Sequence, residues 1–155
     1  MTERHEEAKV IAVNISEKKG ERKHPVPAVT MVVGHGIAGD AHAADWHRQV
    51  SLLAQESIDK MQAGLTDIRL QPGDFAENIT TSGIEVAKLP VGTKLKVGAA
   101  VELEVTQIGK ECHRGCAIRK QVGDCVMPRE GIFTVVVAPG EIKPGDTIMV
   151  AGSEK

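Results

Sequence analysis

Along most of the chain, apolar residues come in short runs or alternate with polar ones. Residues 10–15 (VIAVNI) form an apolar, β-branched run, and residues 26–33 (VPAVTMVV) form a second. Pro27 predicts an edge position or an irregular start for the second, because proline cannot donate to a ladder. Between them, SEKKGERKHP at 16–25 is a charged break. In 94–98 and 100–108, Leu95 and Val97, then Val101, Leu103 and Val105, recur at every second position, the period of a half-buried strand. Residues 132–137 and 147–150 predict two late strands. One segment has a different period: within 50–63, Val50, Leu53, Ala54, Ile58 and Met61 recur at spacings of three and four. Gln55, Glu56, Asp59, Lys60 and Gln62 supply its polar side, and Gly64 supplies a C-terminal stop. That pattern predicts a helix over 50–63.

The punctuation between these runs is specific. Gln71-Pro72-Gly73-Asp74 and Lys143-Pro144-Gly145-Asp146 repeat one turn chemistry, in which proline presets φ at the first central position and glycine supplies a positive φ at the second. Pro90-Val91-Gly92 is a looser relative. Many short strands with frequent Gly/Pro turns predict a mainly β barrel or sandwich. A length of 155 residues, without repeat or linker, predicts a single domain spanning 1–155, with frayed tails at about 1–8 and 152–155.

Composition narrows the function classes. Aromatic residues make up 2%, with no Tyr, so the core is aliphatic and base-stacking platforms are absent. Net charge is −2, which gives no global field for nucleic acid. The charged start MTERHEEAKV lacks the apolar region of a secretory signal, and no apolar run nears the roughly 20 residues of a membrane helix. A cytoplasmic protein with reduced thiols is expected, and three cysteines, an odd number, argue against a disulfide framework.

Several segments carry candidate chemistry. GHGIAG at 34–39 matches the dinucleotide fingerprint G-x-G-x-x-G. However, DAHAADWH follows it without an amphipathic helix, and no strand ending in an acidic residue lies about 20 positions on. A glycine-rich loop is the expectation, able to bring backbone N–H groups near an anion. The same loop holds His35, Asp40, His42, Asp45, His47 and Arg48, but without the spacing of a metal motif. GDFAENITTSGIE at 73–85 reads as turn-like, with Asp and Asn satisfying backbone groups. Cys112, Cys116 and Cys125 all fall in GKECHRGCAIRKQVGDC, 109–125. Their C-x3-C and C-x8-C spacing, with His113, departs from zinc pairs. Arg114, Arg119, Lys120 and Arg129 surround them, and cationic neighbours favour thiolate. A thiolate can attack sulfur, carry a persulfide or bind a soft transition metal. Cys125 reads as a small core residue.

Taken in order, Lys23 with Pro25-Val26, GIAGDAH at 36–42 with RQVSLLA at 48–54, GDFAENITTSGI at 73–84, the cysteine segment and REGIFTVVVAPGEIKPGDTI at 129–148 resemble the MOSC domain family, named for the molybdenum-cofactor sulfurase C-terminal domain. The resemblance spans nearly the whole chain and implies a small stand-alone member with a distorted β-barrel of short strands and a few helices. It implies association with molybdenum cofactor (molybdopterin), an anionic pterin dithiolene. Some relatives use it to reduce N-hydroxylated compounds, with one cysteine sulfur bonded to molybdenum. Others are proposed to handle the cofactor or carry sulfur.

Carried over residue by residue, the resemblance makes Cys116 the molybdenum ligand and reactive cysteine, with Cys112 as competitor. His42, Arg48, Glu77 and Asn78 become pterin-site contacts, and Lys23 a contact for the cofactor's phosphate. Asp40 and Asp74 are expected to hold loop geometry. The implied partners are the cofactor itself and a cysteine desulfurase or cofactor-biosynthesis protein; pyridoxal phosphate is not expected in this chain. Two alternatives stand beside this: a persulfide carrier for metal–sulfur cofactor assembly, and a non-enzymatic zinc or interaction module on Cys112, His113, Cys116 and Cys125.

Overall fold

The computed structural model describes residues 8–18, 23–41, 43–66, 69–109 and 130–151. In them the chain is mainly β. The strands are β1 (Lys9–Ile15), β2 (His24–Val26), β3 (Val29–Val32), β4 (Gly36–Ile37), β5 (Val50–Ala54), β6 (Ile79–Ser82), β7 (Lys94–Val97), β8 (Val101–Ile108), β9 (Ile132–Ala138), β10 (Gly140–Ile142) and β11 (Ile148–Ala151). An α-helix, α1 (Gln55–Gln62), and a 3₁₀ turn at Val86–Lys88 accompany them. Eight strands make one sheet in the order β11-β7-β8-β9-β5-β6-β1-β2, and β10-β3-β4 make a smaller one. Among the described strands only β5 and β6 pair in parallel, joined through α1; parallel neighbours need such a crossover.

The expected barrel is not closed by a continuous ladder. The large sheet nonetheless curls until its ends approach. A single antiparallel bridge, Lys9 to Thr147, meets the start of β1. Val10 N–H donates to Asp146 O at 2.8 Å, Gly145 N–H to Val10 O at 2.8 Å and Ile148 N–H to Ala8 O at 2.9 Å. The second half of β1 pairs on that same side with β2. Inside the curl lies an aliphatic core that includes Val13, Leu52, Ile79, Leu95, Leu103 and Ile132, all without exposed surface. A second cluster, Leu53, Ile58, Leu70, Phe75 and Phe133, fills the space between α1 and the outer face of the sheet.

Four expectations are corrected. The helix expected over 50–63 begins only at Gln55. Val50–Ala54 is a strand buried at all five positions, between β9 and β6, so both faces must be apolar or satisfied. Gly64 does not take the left-handed conformation of a helix stop; the helix ends on Ala63 in a right-handed conformation. The strand expected over 26–33 divides at Pro27 into β2 and β3. The turn-like reading of 73–85 holds only for its first half, since Ile79–Ser82 is a strand in the interior of the large sheet. The GHGIAG segment is the β3–β4 hairpin and its exit. Met31 pairs with Ile37 and Val32 with Gly36, and no helix opens at Gly39. Gly36, at φ 118°, lies so close to Gln49 that a Cβ would sit 2.7 Å from its carbonyl oxygen.

Candidate functional site

Both Pro-Gly turns have the predicted form, with Gly73 at φ 92° and Gly145 at φ 96°. In the first, Asp74 N–H donates to Gln71 O at 3.1 Å, and the Asp74 carboxylate accepts Gln71 N–H at 2.8 Å. Gly73 is the junction of the region. Its carbonyl accepts Lys23 N–H at 2.8 Å, and its own N–H donates to Glu77 Oε2 at 2.8 Å. A Cβ here would fall 2.3 Å from Lys23 O, so only glycine lets the two segments meet. Ala76, at φ 68°, carries the turn round to Glu77 in a conformation unfavourable to alanine.

Glu77 and Asn78 are both buried. Thr80 Oγ1 donates to Glu77 Oε2 at 2.7 Å, and Asn14 Nδ2 reaches Thr80 Oγ1 at 3.1 Å and Glu77 O at 3.2 Å. Burial pushes the Glu77 carboxyl up from an ordinary 4.5 to about 7, against the lowering effect of these hydrogen bonds. Glu77 Oε1 and Asn14 Oδ1 are buried without a hydrogen-bond partner among the described residues. Asn78 ties β5 to β1. Its Oδ1 accepts Ser51 N–H at 2.9 Å, its Nδ2 donates to Asn14 O at 3.2 Å, and its own N–H meets Ser51 Oγ at 2.9 Å.

Lys23 lies just before β2. Its ammonium donates to Asp40 Oδ1 at 2.8 Å and to Ser16 Oγ at 3.1 Å, and neither side chain of the ion pair has exposed surface. Asp40 also accepts Ser16 N–H at 3.1 Å. The pair therefore pins the loop after β4 to the end of β1. Contact between the Lys23 ammonium and a phosphate would require this pair to open.

Arg48 is held differently. Its guanidinium carbon lies 5.3 Å from the centroid of Phe133 and 5.8 Å from that of Trp46, within cation–π range of both. Arg48 Nε donates to Gln107 Oε1 at 3.0 Å, which His47 Nε2 also meets at 2.9 Å. The terminal guanidinium nitrogens have no partner among the described residues. Ser51 and Phe133 are register partners, so they share the outer face of the sheet. Arg48 and the Asn78 network are thus brought to one side. Lys23 joins through Gly73, buried behind it.

Cys112, Cys116, Cys125, His113 and His42 lie outside the described residues, as do Arg114, Arg119, Lys120 and Arg129. What is described is the root of the cysteine segment. β8 and β9 are antiparallel neighbours, Ile108 pairs with Ile132, and Gly109 N–H donates to Gly131 O at 2.7 Å. The segment between them leaves and returns at that point. The Gly109–Gly131 root lies close in sequence to Gln107 and Phe133, which hold Arg48 together with Trp46. Among the described residues no three His, Cys, Asp or Glu side chains gather to hold a metal.

The sequence from residue 39 to residue 149 matches the family model described as MOSC domain. The chain belongs to the MOSC domain family. Solved structures agree on the fold of this MOSC domain: the YuaD protein of Bacillus subtilis matches at a TM-score of 0.77 and 19% identity, over 94% of this chain and 96% of that one. YiiM of Geobacillus stearothermophilus matches at 0.72 and 19% identity, over 94% and 75%. YiiM of Escherichia coli matches at 0.66 and 15% identity, over 95% and 71%. No curated protein matches the chain in sequence.

The MOSC domain also has an open cleft of about 520 Å³ between α1 and residues 83–88, lined by Ser57, Lys60, Val86 and Glu130 among others, none of them in the network above. Residues that the sequence pattern did not single out include Asn14, Ser51, Trp46, Gln107 and Phe133. Asn14 and Ser51 had a signal, each being one polar position in an otherwise apolar run. Trp46 and Phe133 had only the rarity of aromatics in this chain.

Proposed function

We propose that this MOSC domain binds molybdenum cofactor on the side of the sheet that carries Arg48, with a cysteine of the 110–129 segment as the metal's sulfur ligand, Cys116 before Cys112. The observation that carries this reading is Arg48. It is a guanidinium fixed between two rings and Gln107, with its terminal nitrogens uncommitted among the described residues, beside the root of the cysteine segment. A planar, always-charged fork held in this way suits an oxyanion of the cofactor. Asn78, Glu77 and Lys23 contribute indirectly: they hold the 71–78 turn and the loop after β4, the loop whose His42 and backbone N–H groups this reading assigns to the pterin. When bound, the cofactor supplies two-electron redox chemistry suited to reducing N-hydroxylated compounds, or is itself the cargo of a cofactor-handling protein. The chain's residues bind and orient it. A cytoplasmic setting and a desulfurase or cofactor-biosynthesis partner belong to the same proposal.

The test is molybdenum and pterin content after purification from a cofactor-producing host. Wild type should retain both, Cys116→Ala should lose molybdenum, and Arg48→Ala should retain less pterin. Wild type that never retains cofactor would overturn the proposal. In that case, mass spectrometry after incubation with a desulfurase and cysteine decides whether one cysteine instead carries an added sulfur.

A further inference from the structure

We propose that Glu77 is a proton-operated latch on the 71–78 turn: protonated, it completes the buried network that joins β1, β5, β6 and Gly73; ionised, it loosens the turn. The geometry comes first. Glu77 has no exposed surface, and one carboxyl oxygen alone takes both donors, Gly73 N–H and Thr80 Oγ1. The other oxygen is buried and has no partner among the described residues, as is true of the amide oxygen of Asn14, whose nitrogen touches the Glu77 backbone and Thr80. An ionised carboxylate can only accept, so Oε1 and the Asn14 amide oxygen both stay buried acceptors without a donor among the described residues. A proton on Oε1 removes the charge and turns one of these acceptors into a donor. A buried charge without an opposing ion is the costlier alternative.

Hydrogen bonds from Gly73 N–H, Thr80 and nearby backbone offset that charge only in part, and the neighbouring side chains add no opposing ion. β1 presents Asn14 and β6 presents Thr80, both neutral, and the Ser51–Asn78 contacts on β5 are neutral too. The charged groups that the network reaches are Asp74, whose carboxylate is bonded to Gln71 N–H, and the Lys23–Asp40 pair, joined through Gly73. The Lys23 ammonium already faces Asp40 at 2.8 Å. Consistent with this, burial raises the Glu77 carboxyl to about 7, which puts its titration in a physiological range. The turn it controls is already strained at Ala76, and it carries the backbone of Asn78. The inference stands whether or not the chain holds a pterin.

The sign follows from linkage. The folded chain holds a proton that the unfolded chain releases near 4.5, so this contribution to stability is full below pH 4.5 and is lost as pH rises through about 7. Across that window the unfolding equilibrium of wild type should rise by up to about tenfold per pH unit relative to Glu77→Gln. The amide of the variant keeps an acceptor for Gly73 and adds a permanent donor. Every group other than residue 77 is common to both proteins and cancels in the comparison. Hydrogen exchange at Gly73 and Asn78, corrected for intrinsic rate, should quicken above pH 7 in wild type and not in the variant. If Glu77→Gln does not fold, a carbon-13 titration of the wild-type Glu77 carboxyl replaces it. A midpoint near 7, with the amides of 73–78 shifting in step, supports the latch. A midpoint at or below 4.5, identical pH profiles in the two proteins, or a turn indifferent to the titration overturns it.

Discussion

Asn78 satisfies backbone on two sides at once, the Ser51 N–H and the Asn14 carbonyl. Asn78→Ala leaves both buried without partners and should cost about 2–3 kcal/mol in urea denaturation. The Lys23–Asp40 pair makes a sharper case, since both side chains are wholly buried. Lys23→Met alone strands a carboxylate and should cost about 3–5 kcal/mol, whereas adding Asp40→Leu should recover much of the loss. A double variant no better than the single would show that the apolar pair does not fill the space. At this scale the sequence was readable in kind but not in depth. Asp and Asn in GDFAEN announce a turn, and Asp74 does close one on Gln71. That Glu77 and Asn78 are interior depends on β1 and β5 lying against them, contacts across 63 and 27 residues that no local pattern encodes.

At the scale of elements, the instructive segment is 50–54. Spacings of three and four group Val50, Leu53 and Ala54 on one helical face and leave Leu52 off it. In the strand, Leu52 faces the inner core opposite Ile132 and Ile79, while Leu53 joins the outer cluster with Ile58 and Phe133. A run that is apolar on both sides matches either period, and only its interior place in the sheet decides. Leu52→Ala and Leu53→Ala should therefore each cost about 2–5 kcal/mol in chemical denaturation. A helical 50–54 would instead spare Leu52. Where one face met solvent, the period was unambiguous: β7 and β8 fall where the alternation of Leu95, Val97, Val101, Leu103 and Val105 places them. Both Pro-Gly turns were equally legible, because their chemistry is local.

At the scale of the molecule, the family was legible because its ordered segments recur along the chain, but the manner of closure was not. The large sheet has β11 at one end, and the residues leading into β11 return to β1. The Lys143–Asp146 turn makes this possible. Its Asp146 side chain accepts Lys143 N–H at 3.0 Å, while its backbone exchanges two hydrogen bonds with Val10. The seam is short, yet both ends of the aliphatic core depend on it: Val10 and Ile148 belong to that core. A chain ending at residue 143 would lose β11, bare the outer edge of β7 and bare the side of the first half of β1 that faces away from β6. Exposed edges and a core open to water destroy cooperativity before they destroy strand content. The shortened chain should thus keep much of its β signal in far-ultraviolet circular dichroism while its thermal transition broadens or disappears. A sharp transition at the wild-type midpoint would show instead that the core is held by β5, β6, β8 and β9 alone.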